Sequence, residues 1–143
     1  AVGLLPKFAQ PINAWISDAL RSDSLFNEEA LRKNVINPLL RQTKLDLGET
    51  IHKLCEGRIG PRGKTQSVKA QSRKTGVTRA RVYQLLDECA KAFSVRWPEG
   101  RCQLDALAQR LEQEDGSPEA IRMLNAARQT FFPRKFEAEE AED

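Results

Sequence analysis

Ser72-Arg73-Lys74-Thr75-Gly76-Val77-Thr78-Arg79-Ala80-Arg81-Val82-Tyr83-Gln84-Leu85-Leu86 reads as two helical patterns parted by a glycine. Val68 and Ser72 lie one turn apart on the first helix, and Val82, Leu85 and Leu86 form the inward face of the second. A tight turn between packed helices needs a small residue where they cross and a left-handed backbone after it, which Ser72 and Gly76 supply. Val77 then plugs the gap between the helices, and Thr78 is a good N-terminal cap. Arg79, Arg81 and Gln84 are left pointing outwards, with Ala80 and Tyr83 partly so.

The charge around this turn is of one sign. Gly57 to Leu86 holds eight Lys/Arg and no Asp or Glu, so thirty residues carry +8 in a chain of net charge +3, and the other 113 sum to −5. That combination suits a DNA-binding helix-turn-helix, whose second helix enters the major groove with its N-terminal residues at base edges. Thr78, Arg79, Arg81, Tyr83 and Gln84 are the candidate base contacts, since Arg can take guanine and Gln can take adenine through paired hydrogen bonds. Arg58, Arg62, Lys64, Lys69, Arg73 and Lys74 are the candidate phosphate contacts, which supply affinity rather than sequence choice.

Gly76-Val77-Thr78-Arg79-x-Arg81-Val82-x-Gln84 resembles region 4 of bacterial sigma factors, the C-terminal DNA-binding region that reads the upstream promoter element. The family pattern there is Gly-Val-Thr-Arg-Glu-Arg-Val-Arg-Gln-Ile. The likeness extends back through Leu47 to Arg58, Ile59-Gly60 and Lys64-Thr65, and covers about Leu47 to Phe93. It implies duplex DNA as partner, a role in transcription regulation, and RNA polymerase or a larger parent chain as a protein partner. Ala80 stands where the family usually has Glu, Tyr83 where it often has Arg, and Gln71 where it usually has an apolar residue. Thr65 precedes Gly76 by eleven residues, about two more than in the family. The aromatic-rich segment that sigma factors use to melt promoter DNA is missing, so the chain is a cut-out domain or a separate sigma-like protein.

Outward from this unit the chain reads as all-α, a helical domain with a central helix-turn-helix between N-terminal and C-terminal helices. Residues 1–46 form N-terminal helices of unknown role. Pro11 opens the first, with Ile12, Trp15, Ile16, Ala19 and Leu20 on one face. Asn27-Glu28-Glu29 starts the next, which Pro38 should end or kink before a short continuation at Leu39 and Leu40. Residues 47–96 are the sigma-like unit: a helix from about Asp46 to Glu56 stopped by Gly57, a loop to Lys64, a short helix from about Thr65 to Lys74, and a longer one from about Arg79 to Val95. Residues 97–136 form a helical pair, one helix around Leu104, Leu107, Ala108 and Leu111 ending near Gly116. The other starts at Ser117-Pro118-Glu119, packs through Ile121, Leu124, Phe131 and Phe132, and stops at Pro133. Trp97 is placed to pin this pair against the central unit. Residues 137–143 hold five acids and read as a solvated tail that could shield the basic face.

Other chemistries find little support. No apolar run approaches the roughly 20 residues that span a bilayer, and the expected location is cytoplasmic, with the nucleoid. The chain opens without Met in apolar sequence, as a fragment would. Cys55, Cys89 and Cys102 are odd in number and widely spaced, which suits buried thiols in a reducing compartment. A zinc site from His52, Cys55, Cys89 and Cys102 lacks a Cys-x-x-Cys pair. Gly63-Lys64-Thr65 lacks the first glycine and preceding strand of a phosphate-binding loop. His52, the one histidine, has no nucleophile tied to it, so no enzyme, metal or cofactor is expected. A helical protein-interaction module without base readout is the alternative, and RNA binding by the same basic surface is a third reading.

Overall fold

The computed structural model describes residues 7–60 and 66–133, and it is helical, with no strand among them. In order, the helices are α1 (Ala9–Arg21), α2 (Glu28–Leu31), a π-helical turn (Arg32–Ile36), α3 (Asn37–Leu47), α4 (Glu49–Ile59), α5 (Val68–Thr75), α6 (Arg79–Arg96), α7 (Gly100–Gln113) and α8 (Pro118–Phe131). The all-α class expected from the sequence holds. The acidic segment 137–143 lies outside the described residues.

The N-terminal half departs from the sequence reading in its punctuation. α1 begins two residues before Pro11, which sits in the first turn where an amide hydrogen has no intrahelical acceptor. Leu20 is left 37% exposed. Asn27 caps α2 as expected, accepting from the Ala30 amide at 2.9 Å. Pro38 does not end the helix. The turn before it widens, so that the Asn37 amide reaches back five residues to the Arg32 carbonyl. This extra room accommodates the pyrrolidine ring, which a regular α-turn would press against a carbonyl four residues back. The chain thus stays helical from Glu28 to Leu47, with Leu31, Val35, Ile36, Leu39 and Leu40 all buried.

Two glycines exchange roles. The expected helix from Asp46 is interrupted at Gly48, whose φ of 95° only glycine adopts without strain, so Leu47 ends α3 and Glu49 begins α4. Gly57 does not stop α4, which runs on to Ile59 and ends at Gly60 with φ 65°. Gly57 is small because chain passes over it. A Cβ there would collide with the Gln66 side-chain oxygen and lie 2.9 Å from Gln71 Nε2.

The C-terminal half follows the pattern more closely. Ser117 caps α8 by accepting from the Ala120 amide at 3.1 Å, with Pro118 at the first helical position. The α7–α8 turn puts its left-handed residue at Asp115, φ 53°, and the Gly116 amide bonds the Leu111 carbonyl at 2.7 Å.

All eight helices share one hydrophobic cluster, so the described parts of the three segments drawn from the sequence do not have separate cores. α8 packs on α2, α4, α6 and α7, and α1 packs on α7. Trp97, fully buried, ties the ends together. Its ring lies 5.8 Å from Phe132 beyond α8, and its Nε1 donates to Asn13 Oδ1 of α1 at 2.9 Å. It therefore pins α8 to α6 as expected and holds α1 as well. A Cβ at Gly100 would collide with both the Trp97 and Phe132 rings. Phe93 continues the cluster, edge-on to Phe131 at 4.8 Å and to Phe8 at 5.8 Å. Arg110 of α7 donates to the carbonyls of Ala19 and Ser22, satisfying the C-terminal end of α1. Removing a large buried aromatic costs about 3–5 kcal/mol. Trp97→Ala is expected to lower stability by about that amount, read as a lower urea midpoint, with Trp97→Phe losing less.

Candidate nucleic-acid interface

α5 and α6 form a packed pair joined by Gly76-Val77-Thr78. Ser67 caps α5 by accepting from the Ala70 amide at 3.0 Å. α5 therefore begins at Val68, later than the sequence suggests, and Thr65 lies outside the described residues. Gly76 is left-handed, φ 76° and ψ 9°, and its amide bonds the Ser72 carbonyl at 3.0 Å. The Ser72 hydroxyl donates to the Val77 carbonyl, so the small residue chosen for close crossing also clamps the turn. Thr78 is extended and accepts from the Arg81 amide at 3.1 Å, which starts α6. Val68, Val82 and Leu85 are buried, with Val77 and Leu86 packed against the core around them.

The outward residues fall into three groups. Arg79, Arg81 and Gln84 lie on the first turns of α6, where Arg79 and Arg81 are exposed and Arg81 Nη1 is 3.3 Å from Gln84 Oε1. Lys69, Arg73 and Lys74 are exposed on α5. Thr78 is near the surface, but its hydroxyl oxygen is engaged as the cap. Two candidates are partly covered by neighbouring chain. Tyr83 is half-buried and packed against the core, because one turn of helix carries it round towards Leu86. Arg58 is half-buried at the end of α4, where Nη1 donates to the Gln66 carbonyl at 3.1 Å and anchors the chain entering α5. Arg62 and Lys64 lie outside the described residues.

Absence of acids sets this face apart. Arg21 pairs with Asp18, Lys53 with Glu49, Lys91 with Asp87, Arg96 with Asp46, Arg110 with Glu114, Arg122 with Glu119 and Arg128 with Asp105. Among the described residues, Lys69, Arg73, Lys74, Arg79 and Arg81 enter no ion pair. The cause is in the sequence, where no acid falls between Gly57 and Leu86.

Gln71 is a feature that the outward-facing pattern did not reveal. It is 1% exposed on the inner side of α5, its Nε2 donates to the Leu54 carbonyl at 2.7 Å, and its Oε1 has no hydrogen-bond partner among the described residues. Its spacing of three from Val68 was the available signal for burial.

His52, Cys55, Cys89 and Cys102 do not converge. Cys55 and Cys89 are buried neighbours while Cys102 is exposed on α7, and no three metal-ligating side chains cluster among the described residues. No described helix is long and apolar enough to cross a membrane.

Two substitutions test this geometry. Loss of a threonine cap costs about 1 kcal/mol, so Thr78→Ala is expected to lower the chemical-denaturation midpoint accordingly. Gln71→Leu removes a desolvated acceptor along with one hydrogen bond. It is expected to hold or raise stability, and a loss above about 1 kcal/mol would show that the carboxamide is needed.

Comparison with known proteins finds no matching family, no matching curated protein and no matching solved structure.

Proposed function

We propose that this chain binds duplex DNA through a helix-turn-helix formed by α5 and α6, in the manner of sigma region 4, and acts in transcription regulation. The observation that carries the reading is that Lys69, Arg73, Lys74, Arg79 and Arg81 are all exposed on one packed helix pair, within a stretch that has no acid from Gly57 to Leu86. Exposed cations without acidic neighbours keep their full attraction for a polyanion, and release of the DNA counterions drives binding.

In this reading α6 enters the major groove N-terminus first. Arg79 and Arg81 present guanidinium forks to guanine O6 and N7, and Gln84, about one turn on, presents a carboxamide to adenine N6 and N7. The Arg81–Gln84 contact at 3.3 Å is exposed, so it gives way to base contacts at small cost. Lys69, Arg73 and Lys74 lie against phosphates and set the register. Gly76, Ser72 and Thr78 fix the helix angle before DNA arrives, which reduces the ordering that binding requires. Tyr83 and Arg58 support this surface from beneath rather than read bases. The expected setting is the cytoplasm and its nucleoid, with RNA polymerase or a larger parent chain as the protein partner.

Selection of bound duplexes from a random pool is expected to enrich a motif. Arg79→Ala with Arg81→Ala should then weaken binding to that motif by about 1–3 kcal/mol for each bidentate pairing removed. Unchanged affinity in the double variant rules out this reading mode. Replacing Lys69, Arg73 and Lys74 by Ala should weaken all duplexes alike and flatten the slope of log affinity against log salt by roughly 0.9 for each phosphate no longer neutralised. A single-stranded RNA that competes as well as the duplex would transfer the surface to RNA.

A further inference from the structure

Cys55 of α4 and Cys89 of α6 face each other across a direct helix contact, both with 0% exposure. Cys55 Sγ lies 3.5 Å from Cys89 Sγ, and both thiols are free. A disulfide is about 2.05 Å long, so each sulfur has roughly 0.7 Å to travel.

We propose that Cys55 and Cys89 are a covalent modification site, converted by a peroxide-class oxidant into a disulfide that staples α4 to α6. One sulfur, as thiolate, attacks a peroxide oxygen. The O–O bond breaks, a sulfenic acid forms, and the departing hydroxide takes up a proton to leave as water. The second sulfur gives up its proton and attacks the sulfenic sulfur. The S–O bond breaks and a second water leaves. Two thiols are oxidised and one peroxide is reduced to two waters. The hydrogen bond to Cys89 and burial hold the Cys55 thiol well above its ordinary range, so closure is slow and follows sustained oxidation rather than a brief pulse.

The two cysteines are 34 positions apart, and the loop they would close contains the whole basic run from Arg58 to Arg81. A crosslink there removes freedom from the unfolded chain and raises the melting temperature. Cys89 lies ten residues along α6 from Arg79, about 15 Å at the helical rise, so the staple does not touch the reading end.

The test uses the full chain carrying Cys102→Ser, which removes the exposed thiol and leaves two. Folded protein is incubated with hydrogen peroxide beside the same chain in urea. The expected result is loss of two hydrogens by intact mass, a Cys55–Cys89 linked peptide on non-reducing digestion, reversal by dithiothreitol, and a larger share of linked peptide over oxygen adducts in the folded chain than in urea. A folded chain that keeps both thiols, that adds oxygen to each sulfur separately, or that gives no larger share of linked peptide over oxygen adducts than the unfolded chain overturns the proposal. Cys89→Ala in the same background is expected to abolish the two-hydrogen loss, and persistence of that loss would also overturn it. None of these readouts involves DNA, so failure here and failure of the DNA reading are distinguishable.

Discussion

The structure depends on burying one broad face of α8. Ala120, Met123, Leu124, Ala126, Ala127, Thr130 and Phe131 are all inside, and only helices packed on several sides can cover them. Three of these are alanines, which let neighbouring backbones come close. Thr130 is the polar member, and its hydroxyl is satisfied within the helix by the Ala126 carbonyl at 2.7 Å. α2, α4, α6 and α7 each give α8 part of their apolar face. The basic pair α5–α6 thus has a rigid seat built mainly from sequence far from it in the chain.

That dependence explains the division between structural and surface arginines. Arg110 is 11% exposed at its side chain and spends its donors on the end of α1 and on Glu114. Arg32 donates to the Gly60 carbonyl at 3.0 Å and holds the π-turn against the end of α4. Arg58 is engaged with Gln66. Planar guanidinium groups with several donors suit these carbonyl-rich helix ends. The cations of α5 and the start of α6 have no such ends to satisfy.

The all-α class, the N-cap residues Asn27, Thr78 and Ser117, the left-handed Gly76 and most of the inward faces were legible because each follows from local chemistry or helical period. The misread positions depended on distant chain. Pro38 could either end or kink its helix, and the widened turn that accommodates it leaves no residue signature. Gly57 and Gly60 could both end a helix on composition, and of the two only Gly60 takes the positive φ that ends α4. Tyr83 reads as only partly outward, and on the flank of α6 it is half-buried. Gln71 stands at an inward spacing from Val68, although its residue type is polar. On the candidate face, Arg79, Arg81, Gln84, Lys69, Arg73 and Lys74 could be read directly, since solvated side chains are governed by their own helix alone.

The ion-pair map has a kinetic side. With seven cations outside the basic run answered by a neighbouring carboxylate, and five on α5–α6 unanswered in a stretch without acids, the folded chain has a positive pole fixed in its own frame. A molecule so polarised rotates as it diffuses towards a polyanion and arrives with that pole leading, so that fewer encounters are wasted on wrong faces. Placement of acids on the far helices therefore governs how quickly this protein finds an oppositely charged partner, even though none of those acids would touch it.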